Sequence, residues 1–334
     1  MDKKQYNIGI LGAANIARRV VIEPAKQLET VCVFGIAARD CARAEKFAHD
    51  HGIAQVFPDY NALIESDAID AVYIPLANHV HAPWVIKVAQ AKKAIFVEKP
   101  ICLTVKEFDA IEAAVTENKV PLVETVMVQH HPWQEKVRDI ITTQQYGALR
   151  STKTEVSFRL RDVDQNSYRL FPEMGGGVFF DVGSYWIQFV QACIGLPPDT
   201  IEAHSDFDGP NGIDMTFEAR MDFAQGVSAA FCCSFERAFE VTHWLQLENA
   251  RMRIRNFFRP AFGNQAMAID VHHLETGERE KIKFPPQNYY CNQLDFFLRV
   301  IEGKAKNIPL MQIRERVKLM EQIYTVAQSH RNSQ

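Results

Sequence analysis

The sequence predicts two domains: an α/β domain with a doubly wound parallel sheet, then an α+β domain with a large, mostly antiparallel, open-faced sheet. Short apolar strands alternate with helices up to residue 126, which is typical of a parallel sheet. After Gly147 the pattern changes to long, mixed apolar and polar runs separated by short turns, as in antiparallel sheets. A chain of 334 residues can hold two domains of ordinary size, and we place them at 1–124 and 125–334.

Five strands and five helices alternate in the first predicted domain. The strands are predicted at 6–12, 31–37, 71–76, 94–97 and 121–126, and the helices at 15–28, 39–52, 62–66, 83–92 and 105–118. Sheets of this kind bind ligands beyond the carboxyl ends of their strands. Four residues that follow predicted strands are therefore expected at one edge of the sheet: Gly12, Arg39, Asn78 and Lys99.

Eight strands and one helix are predicted in the second domain. The strands lie at 149–160, 200–207, 214–223, 226–236, 239–248, 251–255, 266–274 and 279–284. The helix begins at Val178, after three glycines that permit unusual backbone angles. Apolar bulk on the strands favours dimerisation through one sheet face, with a well-filled monomer core as the alternative. The side chains concerned are Phe217, Met221, Phe223, Phe231, Phe235 and Trp244.

Composition excludes several classes of protein. The formal net charge of −4 argues against a nucleic-acid-binding surface. No apolar run approaches the roughly 20 residues that a membrane span requires. Residues 1–5 lead directly into the first predicted strand, so no signal peptide is expected. The seven cysteines lack CxxC spacing, which indicates buried thiols in a cytoplasmic protein.

Four histidines occur in two short segments, and they do not have the spacing of metal ligands. They are His79, His81, His130 and His131. Histidines in such positions more often hydrogen-bond or pack than bind a metal. We therefore expect no metal site.

The end of the first predicted strand has the form of a dinucleotide-binding turn. Read as G-x-G-x-x-G/A from Gly12, the second glycine is replaced by Ala14, and Ala17 is an allowed third position. Small residues at such a turn can serve packing alone. The strand–helix–strand context favours dinucleotide binding, with the pyrophosphate resting on the helix start near Asn15 and Ile16.

The end of the second strand indicates which dinucleotide fits. An NAD enzyme usually carries an acidic residue there to bind the ribose 2′-hydroxyl. This chain has Ala38 at that position and Arg39 next, which leaves room and a guanidinium for a 2′-phosphate. The alternative is a solvated arginine with Asp40 as a helix N-cap. We expect NADP, with NAD possible.

Lys99 and Tyr185 are candidates for proton transfer. Lys99 lies in Glu98-Lys99-Pro100, just past a short buried strand, where proline stiffens the backbone. A lysine held there suits a proton donor beside a cofactor. Asp181 and Tyr185 are four residues apart and share one helical face. Without further context, Tyr185 is better interpreted as a half-buried aromatic side chain whose hydroxyl has a hydrogen-bond partner.

These motifs together resemble the glucose–fructose oxidoreductase / inositol dehydrogenase (Gfo/Idh/MocA) family along nearly the whole chain. The matching segments are 9–17, 73–81, 98–100, 124–132 and the glycine triplet leading to Asp181 and Tyr185. The resemblance is closest to the branch with glucose–fructose oxidoreductase, dimeric dihydrodiol dehydrogenase, NADP-dependent xylose dehydrogenase and sugar 3-ketoreductases. That branch carries tyrosine where inositol dehydrogenases carry histidine. Its fold is a Rossmann domain plus an open-faced sheet domain.

The resemblance implies a function and a set of site residues. It implies an NADP(H)-dependent oxidoreductase that transfers hydride to or from a hydroxyl or keto carbon of a sugar or polyol. The implied catalytic residues are Lys99, Tyr185 and Asp181. The implied cofactor contacts are Gly12, Ala14, Asn15, Ile16, Ala38, Arg39, Pro75, Leu76, Asn78, His81, Glu98 and Lys99. The implied substrate contacts are Lys99, Gln129, His131, Arg169, Asp181 and Tyr185.

Some alternatives stay open at this point. Val128-Gln129 replaces a Tyr-Arg that is usual in relatives, which leaves the substrate undecided. A trans-dihydrodiol dehydrogenase is one alternative. A regulatory or sensor protein that binds NAD(P) without turnover is a second possibility. Arg159 and Arg161 are either solvated or bind a phosphate at the edge of the pocket. The family also implies a homodimer or a dimer of dimers formed through the open sheet.

Overall fold

The computed structural model describes residues 5–161 and 164–331, and it divides into two compact units. The first unit comprises Met1–Met127 and Tyr290–Arg314, and the second comprises Val128–Tyr289 and Glu315–Gln334. Residues 1–4, which entered the expectation of no signal peptide, lie outside the described residues. Within the described ranges, no helix has the length and apolar character needed to cross a bilayer.

The first unit contains the doubly wound parallel sheet that the sequence predicts. The strands are β1 (Tyr6–Leu11), β2 (Val31–Ala37), β3 (Gln55–Val56), β4 (Ala71–Ile74), β5 (Ala94–Val97) and β6 (Leu122–Glu124). Their order is β3-β2-β1-β4-β5-β6, and every pair is parallel. The order reverses between β1 and β4, and ligands of such sheets bind at this reversal.

Helices connect these strands close to the predicted positions. They are α1 (residues 16–25, with a π-helical segment at Arg18–Ile22), α2 (Cys41–His51), α3 (Tyr60–Glu65), α4 (His81–Gln90) and α5 (Val105–Asn118). Asp40, Asp59 and Thr104 accept hydrogen bonds from backbone N–H groups at the starts of α2, α3 and α5. These caps satisfy donors that a helix start leaves free, which explains where the three helices begin.

Residues 290–314 belong to the first unit, although the sequence places them in the second domain. Phe297 stacks on Phe96 of β5 with 4.8 Å between ring centroids. The Asn307 amide donates to the backbone oxygen of Leu122 at 2.8 Å. The Arg314 side chain pairs with Asp109 of α5 at 2.7 Å. These long-range contacts are invisible to local sequence patterns, so the return of the chain was not foreseen.

The second unit contains an eight-stranded sheet that is antiparallel except for the β7–β10 pair. The strands are β7 (Leu149–Ser157), β8 (Thr200–His204), β9 (Thr216–Phe223), β10 (Val227–Ser234), β11 (Glu240–Leu247), β12 (Ala250–Arg255), β13 (Met267–His273) and β14 (Arg279–Phe284). Their order is β14-β13-β12-β11-β7-β10-β9-β8. The prediction of a large, mostly antiparallel sheet is therefore confirmed.

Besides short 3-10 helices, the described residues form four further α-helices: α6 (Pro132–Thr142), α7 (Val178–Cys193), α8 (Tyr289–Ile301) and α9 (Leu310–Arg331). Only α7 was predicted from the sequence. It is buried continuously from Val178 to Val190, because it packs on the inner face of the large sheet. Phe179 stacks on Phe217 of β9, and Trp186 stacks on Phe231 of β10.

This packing changes the interpretation of the apolar side chains on the large sheet. Phe217, Met221, Phe231 and Phe235 are at most 2% exposed, so they form the core of the second unit, as the alternative interpretation proposed. The opposite face carries ion pairs such as Lys153–Glu155 and Arg220–Asp222. Because these four side chains are buried within one chain, they do not support a dimer interface, and assembly through this sheet remains a prediction.

We expect Phe297→Ala to destabilise the first unit by about 3–5 kcal/mol, because it removes a buried ring that stacks on Phe96. Urea unfolding followed by tryptophan fluorescence measures the loss. The matched control is Phe239→Ala, since Phe239 is 59% exposed and its removal leaves no cavity. Equal stability of the two variants would contradict the placement of residues 290–314 in this unit.

Candidate active site

The turn after β1 is built around Gly12. Its φ is +93°, and a Cβ placed there would lie 2.9 Å from Cδ2 of Leu76. The Gly12 N–H donates to the backbone oxygen of Ala37 at 2.7 Å, which ties the turn to β2. Beyond it Ala14 is half-buried and Asn15 is exposed just before α1. The turn thus leaves space beside free helix-start N–H groups, which is the arrangement that holds phosphates.

Two arginines lie beside this turn, one of them unforeseen. The Arg43 guanidinium donates to the backbone oxygen of Ala13 at 2.9 Å. Burial raises the pKa of the Tyr60 hydroxyl, and the charges of Arg39 and Arg43 oppose that rise. Both cations therefore lie close to the same phenol. Arg39 directly precedes the N-cap Asp40 and Arg43 lies in the first turn of α2, so both arginines flank the same helix start.

The alternative interpretation of the Arg39–Asp40 pair is also observed. Asp40 caps α2 by accepting a hydrogen bond from the backbone N–H of Arg43 at 3.2 Å. Ala38 is 7% exposed and supplies no carboxylate at the end of β2. The cap uses Asp40 and leaves the Arg39 side chain exposed, so capping by Asp40 and phosphate binding by Arg39 are compatible.

His81 joins the loops that follow β4 and β5. It is fully buried, with Nδ1 2.7 Å from the oxygen of Pro100 and Nε2 2.9 Å from the oxygen of Leu76. Burial lowers the pKa of His81, although both carbonyls oppose this. A neutral imidazole has one N–H, so one carbonyl accepts a hydrogen bond at a time. His81, which we expected to contact the cofactor, thus lies between two backbone loops. Pro75 and Asn78, in the loop after β4, are also buried.

The loop carrying Lys99 is anchored on both sides. Glu98 accepts a hydrogen bond from the Tyr73 hydroxyl of β4 at 2.7 Å. The backbone N–H of Ile101 donates to Glu124, the last residue of β6, at 3.1 Å. Burial raises the pKa of Glu98, and the Lys99 charge and the Tyr73 hydrogen bond oppose the rise. The half-buried Lys99 is therefore held between two fixed points, with a carboxyl group beside its ammonium.

In the second unit, Arg169 connects Asp181 with Tyr185. The guanidinium binds both oxygens of Asp181, at 3.2 and 3.4 Å. Asp181 holds the pKa of Arg169 above its ordinary value, and Tyr168 and Tyr185 contribute to that rise. The same cation therefore lies within electrostatic reach of the Tyr185 hydroxyl. Tyr185 is 7% exposed, and its ring meets that of Phe258 edge-on at 4.9 Å.

Gln129 and His131 follow β6, at the start of the second unit. Nδ1 of His131 accepts a hydrogen bond from the N–H of Trp133 and caps α6. Burial lowers the pKa of His131 to about 4, so the ring is neutral near pH 7. Among the described residues, Nε2 of Gln129 and Nε2 of His131 have no hydrogen-bond partner. Both atoms are therefore buried N–H donors without an acceptor in the described part of the chain.

The remaining candidate residues are two arginines, possible metal ligands and two residues of the first unit that the sequence did not indicate. Arg159 and Arg161 are exposed, as their interpretation as solvated arginines expects. Within residues 5–161 and 164–331, no group of three His, Cys, Asp or Glu side chains could hold a metal ion. Sequence reasoning missed Tyr73 and Glu124. Glu124 was detectable as a carboxylate within the predicted strand 121–126, whereas Tyr73 looked like an ordinary core residue.

Comparison with known proteins covers both units. The profile described as "Oxidoreductase family, NAD-binding Rossmann fold" matches residues 6–126, and that of the "GFO/IDH/MocA C-terminal domain" matches residues 134–254. A D-xylose 1-dehydrogenase (NADP(+)) of Haloferax volcanii is 30% identical over 322 residues, 96% of each chain. A dTDP-3,4-didehydro-2,6-dideoxy-alpha-D-glucose 3-reductase of Streptomyces antibioticus is 27% identical over 307 residues, 92% of each chain.

Solved structures share the fold at lower identity. KijD10, a 3-ketoreductase from Actinomadura kijaniata in complex with NADP and TDP-benzene, has a TM-score of 0.88 and 23% identity, over 97% of this chain and 98% of that chain. An aldose-aldose oxidoreductase from Caulobacter crescentus complexed with glycerol has a TM-score of 0.84 and 19% identity, over 98% of this chain and 99% of that chain. At this identity the likeness shows the fold alone.

We expect Gly12→Ala to weaken NADPH binding by about tenfold, because a side chain at positive φ costs about 1–2 kcal/mol and the new Cβ would press on Leu76. Fluorescence titration with NADPH measures the affinity. Gly52→Ala is the matched control: φ is +70° there too, but a Cβ would meet nothing within 4 Å. A Gly12 variant that binds NADPH like wild type would contradict the location of the cofactor at this turn.

Proposed function

Because the chain belongs to the Gfo/Idh/MocA family of oxidoreductases, we propose that it transfers hydride between NADP(H) and a hydroxyl- or keto-bearing carbon of a sugar or polyol. The observation that carries the proposal is the doubly anchored loop holding Lys99, at the edge of the sheet where a dinucleotide would bind. A protein that only sensed the cofactor would not require a charged lysine to be fixed in this way.

The residues of the first unit fit a dinucleotide. Gly12 leaves open the space that a Cβ would fill, and the start of α1 offers free N–H groups to a pyrophosphate. Arg39 and Arg43 supply two cations for a 2′-phosphate where NAD enzymes carry a carboxylate. The nicotinamide, when bound, supplies or accepts the hydride. Ala38, Asn78, His81 and Glu98 would shape the remainder of the site.

In the proposed chemistry, Lys99 and Tyr185 move the proton that accompanies the hydride. When a ketone is reduced, its oxygen becomes an alkoxide, and the Tyr185 hydroxyl donates a proton to it. Cations stabilise the tyrosinate that remains. We propose the Lys99 ammonium as one of these cations, and within the second unit Arg169 is already within electrostatic reach of Tyr185. In the oxidative direction the same proton returns to Tyr185.

Asp181 is proposed to bind a substrate hydroxyl. Arg169 donates a hydrogen bond to each oxygen of its carboxylate, which fixes the orientation of the group. An ionised carboxylate is a strong acceptor for sugar hydroxyls. Gln129 and His131 each offer a buried Nε2, which suits a ligand with several hydroxyl groups. These contacts support a sugar or polyol as substrate.

A substrate screen tests the proposal directly. The panel contains xylose and other aldoses, a nucleoside-diphosphate keto sugar and a trans-dihydrodiol, since relatives are named for each of these classes. Each compound is incubated with NADP⁺ or NADPH, and absorbance of the reduced nicotinamide is followed. Turnover of an aldose or keto sugar supports the proposal. Turnover of the dihydrodiol alone supports the dihydrodiol dehydrogenase, and cofactor binding without any turnover supports the sensor.

We expect Arg39→Ala and Arg43→Ala each to weaken NADPH binding by about 10- to 150-fold and to leave NADH binding within about twofold, because each removes a phosphate ligand worth about 1.5–3 kcal/mol. Titration of both cofactors measures the effect. Lys46→Ala on the same helix is the control, as its side chain is 77% exposed and paired with Asp50. Equal losses for NADH and NADPH would contradict 2′-phosphate recognition.

We expect Lys99→Met and Tyr185→Phe each to lower kcat by a factor of about 10²–10⁴, the usual contribution of a positioned proton donor. Steady-state kinetics on the substrate from the screen measures this, with NADPH affinity titrated in parallel. Lys106→Met, an exposed change on α5, should keep full activity. If Lys99→Met kept the wild-type kcat, the assigned chemistry would be wrong even though the protein bound its cofactor.

A further inference from the structure

We propose that Asp214 is a positioning residue that holds the start of α7, and through it Asp181 and Tyr185, in their working places. Asp214 lies in the loop between β8 and β9, 29 positions beyond Tyr185 in the chain. Its part in catalysis rests on the proposed function. Its part in holding α7 does not, because the contacts concerned belong to the second unit alone.

Asp214 supplies the cap that α7 lacks in its own sequence. The N-cap position of α7 is Gly177, which has no side chain to accept a hydrogen bond. The backbone oxygen of Asp214 accepts from the N–H of Val178 at 3.0 Å, and its Oδ2 accepts from the N–H of Phe179 at 2.7 Å. Two of the free donors at the helix start are thereby satisfied by a distant residue. A carboxylate at this end also interacts favourably with the helix dipole.

The fit between Gly177 and Asp214 excludes a cap of the usual kind. Gly177 has φ +95°, and a Cβ there would lie 1.9 Å from Oδ1 of Asp214. Asp214 is 0% exposed, so its carboxyl group fills the space that a capping side chain would otherwise take. Among the described residues, Oδ1 has no hydrogen-bond partner. Only glycine at position 177 leaves room for the Asp214 carboxyl group, which explains a glycine directly before a buried helix.

The catalytic candidates follow within two turns of this cap. Asp181 lies in the first turn of α7 and Tyr185 one turn later, and all residues from Val178 to Val190 are buried. A displaced helix start would move the Asp181 carboxylate away from Arg169, and Tyr185 with it. Small displacements of reacting groups cost large factors in rate. Asp214 can thus affect turnover without contact with substrate.

The groups facing the Asp214 carboxyl make its charge sensitive to pH. Burial raises the pKa of Asp214 to about 7, and the N–H groups of Phe179 and Val178 and the Tyr324 side chain of α9 oppose the rise. Cys233 of β10 also faces it, with a thiol pKa raised well above its ordinary value by burial. Since the folded pKa exceeds the ordinary 3.8, Asp214 contributes stability at low pH that is lost as the pH rises through about 7.

The test compares Asp214→Ala, Asp214→Asn and the control Asp222→Asn, an acid-to-amide change on the exposed side of β9. Hydrogen exchange of peptides covering residues 178–185 needs no substrate. We expect about tenfold faster exchange in Asp214→Ala, near wild-type exchange in Asp214→Asn because its amide oxygen still accepts from Phe179, and no change in the control. Unchanged exchange in Asp214→Ala would overturn the cap.

Kinetics then tests the consequence for catalysis. We expect Asp214→Ala to lower kcat about tenfold or more with NADPH affinity within about twofold, and Asp214→Asn to restore most of the loss. A fall in kcat that matched only the unfolded fraction, or an equal fall in NADPH affinity, would overturn the positioning role. If wild-type protein turned over no substrate, the proposed function would fail, and hydrogen exchange alone would decide the cap.

The pH dependence provides a second, substrate-free readout. Asp214→Asn does not titrate, so the unfolding free energy of wild type relative to this variant should decrease from about pH 5 to about pH 8. Urea unfolding at both pH values measures the difference. A constant difference would show that the Asp214 carboxyl group has no raised pKa, and the inferred pH sensitivity of this cap would be wrong.

Discussion

The hydrogen bond from the Tyr73 hydroxyl to Glu98 is the interaction on which the candidate site of the first unit depends. Parallel strands deliver several loops to one edge of a sheet, but loops on their own do not hold a flexible lysine at a fixed point. Here the loop after β5 is fastened to β4 through Glu98 and to β6 through Glu124, while His81 joins it to the loop after β4. The cost of burying these polar groups is offset because each has a partner.

In the second unit, a helix and not a loop holds the candidate side chains at fixed positions. Buried along its first thirteen residues, α7 gains rigidity from the large sheet, and its start is fixed by a cap from a distant loop. Arg169 then gives Asp181 and Tyr185 a common cation. Both units therefore follow one design, in which ionisable side chains are placed on elements fastened by buried, partnered polar groups. Such fastening limits the movement of the side chains that we propose for proton transfer, and small displacements of such groups cost large factors in rate.

Much of this architecture could be predicted from the sequence because local patterns specify it. Strand–helix alternation gave the parallel sheet, and period-two runs gave all eight strands of the second. The strand-end positions of Gly12 and Lys99 follow from the same patterns. The partners that hold them could not be predicted: Tyr73 and Glu98 are 25 residues apart, and Phe179 and Asp214 are 35 apart. Nothing local marks a buried tyrosine or a loop aspartate as a hydrogen-bond partner. For the same reason, helix α8, which packs on the first unit through Phe297, was not predicted from the sequence.

The route of the chain through the two units has a consequence for biosynthesis. The first unit is discontinuous: its sheet is made from residues up to 127, but Phe297, Asn307 and Arg314 reach it only after the whole second sheet has been translated. A nascent chain therefore exposes the apolar surface around Phe96 until the ribosome has passed residue 314. The second sheet, continuous from β7 to β14, can pair its strands in the meantime. We therefore expect the first unit to finish folding last, although its sheet is synthesised first. Chaperones should bind mainly to the N-terminal half of the nascent chain.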